Sequence, residues 1–148
     1  MNTWIAAALA SLMSLPAIAA DAPPPRVQQV TFKSAVGSVQ FKQKIKGYQT
    51  AEYKLVAKAG QTLTVDLKSS NTSAYFNITA QGADEALFNG SIMGDHFADA
   101  VPADGEYTVQ VYLMRNAARR QAVASYSLSL WLSDNAPTDA KKPATKSP

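Results

Sequence analysis

Cysteine is absent from this chain, which removes disulfides, thiol nucleophiles and cysteine-bound metals from consideration. Histidine occurs once, as His96 in "GDHFADA". A transition metal wants three or four strong ligands, and strand alternation sends the neighbouring Asp95 and His96 to opposite faces, so His96 reads as a surface residue. No "GxSxG" elbow exists for a serine triad. Asp84 and Glu85 sit side by side in a turn as ordinary solvated polarity rather than as opposed carboxylates for sugar cleavage. Asp95, Asp99 and Asp104 fall in or beside loops without calcium-loop spacing. Neither an enzyme nor a bound cofactor or metal is expected. The formal net charge of +3 is too mild to demand nucleic acid as a partner.

Met1 to Ala20 has the form of a secretory signal. "IAAALASLMSL" is an apolar core too short to span a bilayer, and "LPAIAA" supplies the small residues of a cleavage site. Export is therefore expected, with a mature start near Ala20 or Asp21 and no lasting membrane insertion. Residues 21–26, "DAPPPR", read as a linker, and 27–133 as one domain large enough to stand on its core alone. The tail 134–148, "DNAPTDAKKPATKSP", lacks any hydrophobic period and is expected to be disordered.

Within the domain the hydrophobic period is two. "QTLTVDLK" places Leu63, Val65 and Leu67 on one face; "GEYTVQVYL" does so with Tyr107, Val109, Val111 and Leu113; "SYSLSLWL" with Tyr126, Leu128, Leu130 and Leu132. "SVQFKQKIK" alternates Val39, Phe41 and Ile45 with Lys42, Lys44 and Lys46, while "AEYKLVAK" and "AYFNITA" add two more strands. Turn chemistry in "KGYQT", "KAGQ", "QGADE", "NGS" and "ADG" separates them, and no long helix is evident. The pattern predicts an all-β fold: an antiparallel, jelly-roll-like β-sandwich of about eight strands. Three Asn-x-Ser/Thr tripeptides, at Asn71, Asn77 and Asn89, match a glycosylation acceptor that would be accidental in a bacterial periplasm.

Two features exceed what folding requires. Tyr48 follows Gly47 in a turn with no evident core to join. The connection Met114 to Val123 runs to about ten residues where a hairpin needs two to five, and it carries Arg115, Arg119 and Arg120. In one helical turn Arg115 and Arg119, four apart, share a face and offer two planar forks to carboxylates or phosphates. The plainer account leaves these arginines solvated, and makes the row Lys42, Lys44 and Lys46 a solvent face or a protected sheet edge, extended by Lys54, Lys58 and Lys68.

"IKGYQTAEYKLVAKAGQTLTVDL", "VPADGEYTVQVYLMRNAARR" and "ASYSLSL" together resemble the bacterial periplasmic inhibitors of g-type lysozyme. "AGQTLTVDL" and "GEYTVQV" are shared with many exported β-sandwich modules; "GY" followed much later by "RNxAR" is the discriminating part. The resemblance implies a periplasmic β-sandwich, with secretion as the other destination, whose loops plug the cleft of a g-type lysozyme. It makes Tyr48, Arg115, Asn116 and Arg119 the lysozyme-binding residues. If one cleft receives them all, Tyr48 and the arginine loop must lie at the same end of the sandwich. The alternative is a prepeptidase C-terminal-like module that binds cell-wall glycan, with calcium as its cofactor and an aromatic platform such as Trp131 with Tyr112.

Overall fold

The computed structural model describes residues 22–34 and 36–134; the signal segment and nearly all of the tail lie outside them. Nine strands form two sheets among these residues. The first, in the order β1 (Arg26–Gln29), β3 (Ala51–Ala57), β8 (Gly105–Leu113), β5 (Ala74–Ala80) and β6 (Phe88–Asn89), faces the second, β2 (Gly37–Lys46), β9 (Val123–Ser133), β4 (Thr62–Ser69) and β7 (His96–Ala100). All neighbours run antiparallel except β1, which lies parallel to β3 with Arg26 opposite Ala51. Two short helices interrupt the strands, α1 (Gly90–Met93) and α2 (Arg115–Arg119).

The alternating side chains fill the space between the sheets as their period requires. Leu63, Val65, Val109, Val111, Leu128 and Leu130 are fully buried, and each such side chain contributes about 1.5–3 kcal/mol through removal from water. Phe88 closes one edge, stacking on Phe76 of β5 at 4.9 Å and meeting Phe97 of β7 edge-on at 5.2 Å. The chain then turns so tightly that a Cβ at Gly90 would come within 2.3 Å of the Phe76 carbonyl oxygen. The Tyr107 hydroxyl donates to Ala103 O at 2.6 Å, tying the approach to β8 onto the core.

One polar contact crosses the core. The hydroxyls of Tyr53 in β3 and Tyr126 in β9 lie 2.7 Å apart, buried between the sheets. Burial raises the Tyr53 pKa, while the hydrogen bond to Tyr126 and the charge of Arg26 pull it partly back. Burial, then the bond and charge of Tyr53, push the Tyr126 phenol far above the ordinary tyrosine range, against a smaller opposing pull from Arg26. Both stay neutral, so the pair acts as a hydrogen-bonded staple between the sheets.

Candidate functional site

All four connections made at one end of the sandwich cross from one sheet to the other. They are the β2–β3 turn, α2, the β4–β5 loop and α1 with the segment leading to β7. Register fixes this, because Lys46 sits opposite Val123, Ala51 opposite Val111 and Ala74 opposite Leu113. Tyr48 and the arginine segment therefore do share an end, as one cleft would require.

The link between them is direct. Gly47 N donates to Ala122 O at 2.9 Å, joining the β2–β3 turn to the residues that follow α2. Gly47 has φ +60°, and a Cβ there would press on the Gln121 amide at 2.7 Å. Glycine is thus needed on two counts, for its conformation and for the close approach. A bond from Gln49 N to Lys46 O closes the turn and leaves Tyr48 at its tip, 42% exposed. Gln121 holds the only positive φ among the described non-glycine residues, 56°, and reverses the chain from α2 into β9.

The expected helical turn occurs at α2, spanning "RNAAR". Ala117 and Ala118 are buried and seat it on the core, which leaves Arg115, Asn116 and Arg119 exposed. Met114 N donates to Ser73 O, Ala118 N to Met114 O and Ala122 N to Ala117 O, so backbone bonds hold the segment at both ends. The Asn116 side-chain oxygen, Oδ1, accepts from Ala117 N at 2.7 Å, on a residue that is itself exposed. Among the described residues neither the Arg115 nor the Arg119 guanidinium has an ion pair. No Asp or Glu occurs from Gly37 to Ala51 or from Met114 to Trp131, so the β2–β3 turn and the α2 segment carry positive charge on a firm base with no acidic residue of their own.

Four of its neighbours carry no local signal that places them at this end. Asn71 joins the β4–β5 loop to the start of β9 by donating to Val123 O, and it accepts from Ser73 N. Ile92 and Met93 protrude from α1, and Gln121 packs against Gly47. The Asn-x-Ser/Thr positions all carry local structure: besides Asn71, Asn77 accepts from Gly90 N and from the Tyr112 hydroxyl, and Asn89 caps α1.

Elsewhere the chemistry is sparse. His96 bonds Asp66 at 2.5 Å across β7 and β4 on the exposed surface, and no group of three or more potential metal-ligating side chains occurs among the described residues. Lys42, Lys44 and Lys46 lie exposed on edge strand β2, as a solvent face predicts. Lys54 departs from that row, since it belongs to the other sheet and pairs with Glu106 at 3.7 Å. Trp131 and Tyr112 stand on different sheets, Tyr112 beside Tyr75, so they do not make one aromatic platform.

No family model matches the chain. Individual proteins do. It is 27% identical over 104 residues to the Escherichia coli (strain K12) inhibitor of g-type lysozyme, covering 68% of this chain and 77% of that one. Its structure is similar to that of a periplasmic inhibitor of g-type lysozyme from Aeromonas hydrophila, with TM-score 0.66, 37% identity, and coverage of 74% of this chain and 97% of that one. The corresponding Salmonella Typhimurium inhibitor gives TM-score 0.56 and 25% identity over 73% of this chain and 98% of that one. Sequence and fold agree over nearly the whole length of the solved relatives: the chain belongs to the family of periplasmic inhibitors of g-type lysozyme.

Proposed function

We propose that this protein is exported to the periplasm, binds a g-type lysozyme and occludes its active-site cleft with Tyr48, Arg115, Asn116 and Arg119, protecting the peptidoglycan. The observation that carries the reading is the joining of the Tyr48 turn to the α2 segment through Gly47 and Ala122, beside two guanidinium groups without a described ion pair. A lysozyme cleft holds at least one acidic catalytic group in a partly desolvated cavity shaped for a sugar chain. An arginine fork inserted there satisfies that carboxylate in its ionised form, and a tyrosine ring fills ground meant for a sugar face. The Asn116 amide supplies adaptable donors between them.

Because α2 is seated by buried alanines and backbone bonds, the backbone that carries Arg115 needs little ordering on binding, which favours affinity. The inhibitor undergoes no reaction; it competes with the wall polymer for space. Its division is that expected of the sequence, with a single folded domain: leader 1–20, linker 21–26, sandwich 27–133 and tail 134–148. The test is wall lysis by g-type, c-type and i-type lysozymes with the purified protein added. Inhibition confined to the g-type enzyme supports the reading. Equal protection against all three overturns it in favour of substrate sequestration.

A further inference from the structure

A second surface lies apart from the Tyr48 and α2 tip, on the outer face of the second sheet. β9 is flanked there by β2 and β4, and three successive outward residues at its middle are short: Ser125, Ser127 and Ser129. Long side chains stand on either side. Ser127 is opposite Lys42 in β2 and opposite Lys68 in β4, and Ser125 is opposite Lys44. With strands about 4.8 Å apart, the Lys42 and Lys68 backbones are separated by about 10 Å across the serine between them. The result is an open trough of about 630 Å³, lined by Lys42, Lys44, Lys68, Ser70, Ser125 and Ser127 among others.

Its charge is of one sign. β2 and β9 contain no acidic residue, and none of the three lysines has an ion pair among the described residues. The nearest carboxylate on this face, Asp66, is opposite Ser129 and already engaged by His96. Farther along the same strand the amide of Gln40 donates to Ser129 Oγ at 3.2 Å, and beyond it Trp131 is 40% exposed. Trp131 and Ser127 are four residues apart on β9, so at roughly 3.3 Å per residue an indole face and a paired-lysine cradle are separated by about 13 Å along one line.

We propose that this face binds an anionic glycan strand laid along β9, with sugar carboxylates between Lys42, Lys44 and Lys68 and a sugar ring against Trp131. A hydroxyl-lined floor, a carboxamide and an exposed indole fit the mixed polar and apolar faces of sugars. The lysines supply charge-assisted hydrogen bonds to the acid groups. A single-stranded nucleic acid would call instead for several aromatic platforms along a more basic groove. The site is independent of lysozyme inhibition, and would let one molecule hold an acidic wall-type polymer while its end engages an enzyme.

The test is calorimetric titration of the protein with polygalacturonate, a glycan with one carboxylate per sugar, beside neutral dextran and double-stranded DNA. Binding of polygalacturonate alone is expected, weakening as salt rises. The double variant Lys42→Gln/Lys68→Gln should lower its affinity by about tenfold or more through loss of two charge-assisted contacts. Trp131→Ala should lower it several-fold, whereas Lys54→Gln, on the other sheet, should leave it unchanged. Lys42, Lys68 and Trp131 are exposed, so their substitution leaves the core intact, and unchanged inhibition of g-type lysozyme by the lysine variant would show that the two sites are separate. Absence of polygalacturonate binding, binding unaltered by Lys42→Gln/Lys68→Gln, or equally tight binding of DNA would overturn the proposal.

Discussion

Replacing Tyr126 with phenylalanine keeps the ring and removes one buried hydroxyl from between the sheets. Its only described partner, the Tyr53 hydroxyl 2.7 Å away, is then left without a hydrogen bond. Tyr53 is 1% exposed and Tyr126 4%, so water cannot replace the lost contact without opening the core. A buried hydroxyl deprived of its partner costs about 1–3 kcal/mol, while removing both partners together is nearly neutral. Tyr53→Phe and Tyr126→Phe should each destabilise by that amount, and the double variant by less than either alone. Urea denaturation with unchanged m-values would measure the cycle. The pair also sets a pH dependence. Both folded pKa values are raised above the ordinary 10.0, so above about pH 10 the unfolded chain gives up phenolic protons that the folded chain retains, and stability falls as pH rises. Below that range the two states hold the same protons and the pair contributes no slope. The double phenylalanine variant should show a shallower alkaline decline. Additive single effects in the cycle, or the same alkaline slope in the double variant, would refute the argument that one hydrogen bond staples the sheets.

Gly90→Ala should lower stability by at least about 1–3 kcal/mol, because its Cβ would meet backbone rather than a movable side chain; thermal melting checks this. Gly47→Ala places a methyl group at φ +60°, costing about 1–2 kcal/mol of backbone strain. Since the crowded Gln121 amide can rotate away, melting should fall by no more than that strain implies, about 4–8 °C per kcal/mol, while inhibition of g-type lysozyme falls as Tyr48 is displaced. Leu128→Ala should cost about 2–5 kcal/mol in denaturant titrations, as the side chain is fully buried.

The central strands were legible because each buries one face, and burial of one face writes a period of two into the sequence. That pattern places Leu63 through Leu67, Tyr107 through Leu113 and Tyr126 through Leu132 inside, where the structure has them. Strands without such a face were not legible. β1, "RVQQ", is exposed throughout and is held by backbone bonds to β3, and β6 is only two residues long, which is why about eight strands were expected and nine are present. The arginine turn was visible from its excess length and the spacing of Arg115 and Arg119. What lies beside it depends on register, which composition does not encode. Nothing local marks Gln121 as the neighbour of Gly47, Lys68 as the counterpart of Lys42 across Ser127, or Tyr53 as the partner of Tyr126.

The central claim, that the α2 arginines are the inhibitory contact, is tested most directly by inhibition titrations of folded Arg115→Ala, Arg115→Lys and Arg119→Ala against g-type lysozyme. Both side chains are exposed and without a described ion pair, so folding should change by no more than about 0.5 kcal/mol. Arg115→Ala should weaken inhibition by about 2–5 kcal/mol, as the cleft carboxylate stays desolvated without its donor. Lysine at that position should recover only part, keeping the charge and losing the planar fork. Arg119→Ala should cost less if its guanidinium meets the lysozyme at the rim of the contact, where water screens the pair. Wild-type inhibition by both alanine variants would contradict the account.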